Sequence, residues 1–175
     1  MGGVPKHGLM LARSSLLERC LARVEPQVSA IAISANIPLD TRLPVLTDMT
    51  KDHLGPLAGI LAGLDWAETQ GATHMVSVAV DTPFFPCDLV PRLLLAGLDH
   101  PIGLAIAATQ DGDHATFGLW PVALRAPLEV FLKDGGRKVR AFTTIQGSAK
   151  AMFADDKAYF NINTPSDLKL AATWV

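Results

Sequence analysis

The stretch HMVSVAVDTPFFP, from His74 to Pro86, decides how the rest of the chain is read. Val76, Val78, Ala79 and Val80 form an apolar run without polar alternation. That is the pattern of a strand covered on both faces, as in a parallel sheet held between two helical layers. The run stops at one carboxylate, Asp81, and turns on Thr82 and Pro83. In open α/β sheets, ligands collect outside the carboxyl ends of the strands. Asp81 is therefore the first candidate functional residue.

On either side of this strand, helical and extended patterns alternate. Leu16, Leu17, Cys20, Leu21 and Val24 recur at helical spacing behind Ser14 and Ser15, which predicts an amphipathic helix with a serine cap. AIAISAN (30–36) and PVLTD (44–48) read as short strands. A helix is expected over Leu57–Gln70, opened by Pro56 and stopped by Gly71. CDLVPRLLLAGL reads as helical, with Pro91 tightening its first turns. IGLAIAAT and ATFGLWPV are strand candidates joined by QDGDH, whose Asp-Gly pair marks a reversal. Helices over 124–133 and 137–145, a strand over 149–153 and a last helix over 165–174 follow. These predict an α/β fold of three layers, Rossmann-like, with a mostly parallel mixed sheet in one domain spanning 1–175.

The beginning breaks the pattern. MGGVPKHG is a glycine-rich turn carrying Lys6 directly before the first helix, and no strand precedes it. In a doubly wound domain such a turn follows the first, central strand. Either Met1–Gly8 is a frayed tail, or the first central strand belongs upstream and is absent from this sequence.

Composition narrows the function classes. Fifteen Lys and Arg against 17 Asp and Glu give a net charge of −2, without blocks of like charge, which argues against nucleic acid as a partner. No apolar run is long enough to span a bilayer, and no signal peptide is recognisable, so a cytoplasmic protein is expected and no membrane partner. Cys20 and Cys87 lack metal or disulfide spacing and read as free thiols of a reducing compartment. The five histidines share no helical face on which to hold a metal.

Eight stretches in order, MGGVPK, ISAN, LTD, GPLAGI, DTPFFP, HATFGLW, GGRKVRAF and NINTPSDL, resemble the motifs of the molybdenum cofactor guanylyltransferases, a branch of the nucleotide-sugar-type nucleotidyltransferases. The resemblance covers nearly the whole chain. The family signature L-x-G-G-x-S-x-R-M-G-x-D-K is matched only in its second half. Pro5 stands where Asp is usual, and Ala115 follows His114 where Pro is common. Met1 would then correspond to a residue inside the signature.

The resemblance implies a Mg²⁺-dependent enzyme that transfers GMP from GTP to molybdopterin and releases pyrophosphate, working as a monomer and passing its product to a molybdoenzyme or its chaperone. Asp81 would ligate Mg²⁺, which needs few protein carboxylates because it keeps most of its waters. Its plainer reading is a turn or helix cap. Lys6 would neutralise triphosphate charge and share the catalytic role with Asp81. Asp48 would face the donors on guanine N1 and N2. Ser34 and Asn36 alternate to one side of a strand and would reach the nucleotide. Gly55 and Gly59 either let a ligand approach or let the helix pack tightly. Asn161 and Asn163 would hold the pterin, or else satisfy local backbone. The cluster Arg137, Lys138 and Arg140 is either a solvated face or a phosphate dock. A CTP-dependent cousin and a non-catalytic binding remnant are the competing functions.

Overall fold

The structure, a computed structural model, describes residues 8–47 and 55–175. Lys6 and Asp48 lie outside them.

The described chain runs β1 (Met10–Leu11), β2 (Ser14–Ser15), α1 (Leu16–Val24), β3 (Ile33–Ser34), β4 (Val45–Leu46), α2 (Pro56–Thr69), β5 (His74–Ser77), α3 (Leu89–Leu98), β6 (Ala105–Thr109), β7 (Gly112–Pro121), α4 (Arg125–Lys133), α5 (Val139–Gln146), β8 (Ala149–Met152) and α6 (Pro165–Ala171). Single 3₁₀ turns continue α1 over Glu25–Gln27 and α6 over Ala172–Trp174. Pro91 is the third residue of α3, where its missing N–H is one of the orphans of a first helical turn. The reversal before β7 closes with Thr109 opposite Gly112, so Gln110 and Asp111 form a two-residue hairpin loop.

The largest sheet has the order β5-β7-β6-β8. β7 is antiparallel to both β5 and β6, while β8 is parallel to β6. Three strands thus point one way and β7 alone is reversed, the mixed sheet that the hairpin predicts. β3 and β4 form a separate parallel pair. Among the described residues no ladder joins this pair to β5. Helix α2 packs against β3, β4 and β5, and so ties the two sheets together.

Three layers follow from alternation along the central strands. Ile106 and Trp120 face a cluster that includes Leu57, Leu64, Leu128 and Phe142 from α2, α4 and α5. Ala105, Ala107, Phe117 and Leu119 face the other cluster, with Cys20, Leu89 and Leu93 from α1 and α3. Trp120 is fully buried, and its indole N–H donates to Ser77 Oγ at 2.8 Å. The Ser77 hydroxyl passes the chain on to the Thr116 carbonyl at 2.7 Å. Burying this indole therefore leaves its polar end satisfied.

Several strands are shorter than the sequence pattern predicts. Among the described residues of 30–36 and 44–48, Ile33–Ser34 and Val45–Leu46 are the ones that pair. His74–Ser77 pairs with β7, whereas Val78, Ala79 and Val80 continue without a ladder partner among the described residues. Residues 75–80 are accordingly half-buried, not enclosed on both faces as the apolar pattern predicts.

Candidate active site

Asp81, Asn161 and Asn163 lie around one backbone bond just beyond β5, while Ser34, Asn36 and Gly55 lie at the end of β3 and the start of α2. Asp81 follows the apolar run of β5 and is half-buried. Its carboxylate accepts a bond from Thr82 Oγ at 3.4 Å, so it is bonded within a turn and does not cap α3. Its backbone carbonyl accepts the amide N–H of Ile162 at 2.7 Å. This bond brings a segment 81 residues later in the chain to the end of β5. Ile162 is fully buried among Leu11, Leu16 and Ala171, and it exposes Asn161 and Asn163 on either side. The apolar anchor thus sets the pitch of the two amides relative to Asp81.

The same loop is held from its other end. Thr164 caps α6 by accepting the Asp167 N–H at 3.1 Å, and Asp167 accepts the N–H groups of Asn163 at 2.9 Å and Thr164 at 2.7 Å. The Asn163 backbone bond, followed by those of Thr164, holds the Asp167 carboxyl below its ordinary value of 3.8. Asn163 has its backbone N–H satisfied by this box while its side chain is exposed.

Ser34 ends β3 and Asn36 lies two residues beyond; both are exposed, as their alternation predicts. A Cβ on Gly59 would come within 2.6 Å of Ser34 Oγ. Gly59 therefore serves close packing of α2 on β3. Gly55 differs: it precedes α2 with φ +70°, a conformation suited to glycine, and a Cβ there would meet open space. With Pro56 as the first helical residue, the exposed start of α2 lies on the side where β3 and β4 end.

Two members of the basic cluster have partners close by. Arg137 Nη1 donates to the carbonyls of Leu132 and Gly136 at 2.8 and 2.6 Å, closing the end of α4. Arg140 pairs with Asp113 at 3.6 Å, and Lys150 joins the same carboxylate at 2.8 Å.

Two contacts behind the site, of Cys20 with the Asp81 turn and of Tyr159 with His114, join segments far apart in the chain. Cys20 of α1 places its Sγ 3.8 and 3.6 Å from the carbonyls of Ala79 and Val80, directly behind Asp81. Tyr159 stacks on His114, whose Nε2 lies 3.0 Å from Thr109 Oγ. Both arise from contacts across distant segments, which periodicity cannot reveal. Among the described residues no group of three His, Cys, Asp or Glu side chains is placed to hold a metal. Asp81 is a single carboxylate at a strand end, which fits an ion that binds few protein ligands and keeps water.

The MobA-like NTP transferase domain, as a sequence family, matches residues 1–150. A molybdenum cofactor guanylyltransferase of Cereibacter sphaeroides is 42% identical over 175 residues, covering 98% of this chain and 88% of that protein. Another from Mesorhizobium japonicum is 42% identical over 183 residues with the same coverage. Among solved structures, molybdopterin-guanine dinucleotide biosynthesis protein A from Archaeoglobus fulgidus superposes with a TM-score of 0.74 at 21% identity, over 98% of this chain and 91% of that one. The 2-C-methyl-D-erythritol 4-phosphate cytidylyltransferase of Thermus thermophilus gives a TM-score of 0.74 at 19% identity, over 98% and 94%. These two likenesses establish the nucleotidyltransferase fold.

Proposed function

Because the chain belongs to the MobA-like NTP transferase family and is a nucleotidyltransferase of molybdenum cofactor biosynthesis, we propose that it transfers GMP from GTP to the terminal phosphate of molybdopterin, releasing pyrophosphate. The observation that carries this reading is the 2.7 Å bond between Ile162 N–H and the Asp81 carbonyl. It sets a carboxylate suited to a metal-bound triphosphate beside two exposed amides suited to a pterin, so donor and acceptor would meet at one sheet edge.

Two polyanions must be brought together in line, which makes catalysis mostly positioning and charge neutralisation. Asp81 would hold Mg²⁺, whose charge, when bound, offsets that on the reacting phosphates. Lys6 would add a point cation, and Asp48 would accept the guanine N1 and N2 hydrogens; both lie outside the described residues. Ser34, Asn36 and Gly55 would line the nucleotide side, Asn161 and Asn163 the pterin side. Among the described residues no helix is long and apolar enough to cross a membrane. A monomer working in the cytoplasm and handing its product to a molybdoenzyme or its chaperone fits this reading.

Asp81→Ala tests it. The Ile162 bond uses the Asp81 backbone, so the variant keeps that anchor and its melting temperature stays near that of the parent. Mg²⁺-dependent transfer should fall by several orders of magnitude, as expected when a metal's charge stabilisation of about several kcal/mol is removed. Turnover equal to the parent's would remove Asp81 from the metal site. Raising the melting temperature with Mg-GTP but not Mg-CTP would establish the base, since a ligand stabilises according to its saturation; the opposite result would make the protein a cytidylyltransferase.

A further inference from the structure

Tyr159 is 7% exposed, and its hydroxyl is buried without a hydrogen bond. Burial raises its pKa above the ordinary value of 10. A buried hydroxyl left unpaired is unfavourable, so the hydroxyl does not account for this residue's place in the core. The ring does. It lies flat on the imidazole of His114, with centroids 4.1 Å and planes 6° apart. Phe117 and Phe153 meet it edge-on at 5.1 and 5.6 Å and so lock its plane. Thr109, 4% exposed, holds His114 Nε2 at 3.0 Å. One half-buried imidazole is therefore fixed in plane by a buried ring and in rotation by a buried hydroxyl.

Its location gives this preorganisation a purpose. Thr109 is the last residue of β6, at the carboxyl edge of the sheet. Tyr159 precedes Asn161 by two residues in the loop that Ile162 anchors to Asp81. A rigid heteroaromatic plane, stacked on the residue two positions before an exposed amide, is equipment suited to a flat, hydrogen-bonding ring.

We propose that His114, held by Tyr159 and Thr109, is a specificity-determining contact for the pterin ring of the acceptor. This deepens the functional reading above and rests on it for the acceptor's chemistry. Tyr159 is then a positioning residue acting through His114.

The experiment compares His114→Ala, His114→Phe, Tyr159→Leu and Tyr159→Phe with the parent, measuring KM for molybdopterin, KM for GTP, molybdopterin binding by its own fluorescence, and melting. His114→Ala and Tyr159→Leu should raise the molybdopterin KM at least tenfold while the GTP KM stays within twofold. His114→Phe and Tyr159→Phe, which keep a stacked ring, should restore most of the loss. Equal changes in both KM values, or none, in folded His114→Ala would overturn the proposal, as would failure of both phenylalanine variants to rescue. If the parent binds molybdopterin but transfers nothing, the enzymatic reading fails. Tenfold weaker fluorescence-detected binding in His114→Ala would still support the contact, and unchanged binding would reject it.

Discussion

Cys20 is 3% exposed and points at the last peptide units before Asp81. Burial, helped by the negative charge of Asp81, pushes its thiol up to about 12. Cys87 is exposed, and Arg23 Nη1 lies 3.3 Å from its sulfur. Thiolates are the reactive species. A disulfide reagent at pH 8 should therefore modify Cys87 rapidly and Cys20 only after unfolding, one thiol per chain in the native state and two in denaturant. Native modification of both at similar rates would contradict the packing of α1 behind the Asp81 turn. At this scale the sequence pattern was informative only where chemistry is local. Asp81 stands out because an apolar run ends on it. Asn161 and Asn163 stand out as a repeated amide around Ile162. His114 opens HATFGLW, one of the stretches that carry the family resemblance, but its stacking on Tyr159, 45 residues away in the chain, has no local pattern.

The helix caps are the elements whose energetics translate most directly into measurement. Ser15 accepts the Glu18 N–H at 3.1 Å and Glu18 returns a bond to the Ser15 N–H at 2.7 Å; Thr164 and Asp167 repeat the arrangement on α6. Thr164→Ala should cost about 1 kcal/mol, lowering Tm by about 2–4 °C in a chain of this size. Thr164→Ser should restore it. Because the box also fixes Asn163, the molybdopterin KM should rise in the alanine variant before the GTP KM does. The Ser15 backbone bond, then its hydroxyl, holds Glu18 below its ordinary 4.5, and Asp167 is likewise held below 3.8. Groups with lowered folded pKa values stabilise above their unfolded pKa and lose that contribution as pH falls through the folded value. Both caps should thus work fully at neutral pH and weaken below about pH 4; acid titration of Thr164→Ala should show a smaller loss than the parent. Both helix starts were legible, since serine or threonine followed three residues later by an acid is a local signal. The strand ends were not, because whether Val78–Val80 joins a ladder depends on a neighbour that the run itself cannot specify.

Over the whole molecule, three layers are held together by close approaches that tolerate no added atom. Gly97 of α3 is buried, and a Cβ there would lie 2.8 Å from the carbonyl oxygen of Gly103, just before β6. Alanine is favoured over glycine in a helix by about 1 kcal/mol. Here the obstructing atom is backbone, so overpacking should win, and Gly97→Ala should destabilise by about 1–3 kcal/mol. An urea midpoint at or above that of the parent would show that α3 can shift without loss. The three-layer order was legible from alternating helical and extended patterns. The division of the strands into separate sheets was not, since strand partners are chosen across the fold.

That division also sets two clocks. β6 is flanked on both edges and its residues 105–108 are at most 1% exposed, whereas β3 leans on one two-residue partner and is partly open. Local opening is governed by such differences in burial and bonding. The amides of Ile33 and Ala35, bonded to Pro44 and Leu46 at 2.8 and 2.9 Å, should exchange with deuterium at least tenfold faster than those of Ala105–Ala108. On the proposed function, the nucleotide would then bind beside the part that breathes. If Ser34 and Asn36 hold the nucleotide, Mg-GTP should slow exchange at Ile33 and Ala35 and leave β6 almost unchanged, so that the ligand itself stills the looser sheet.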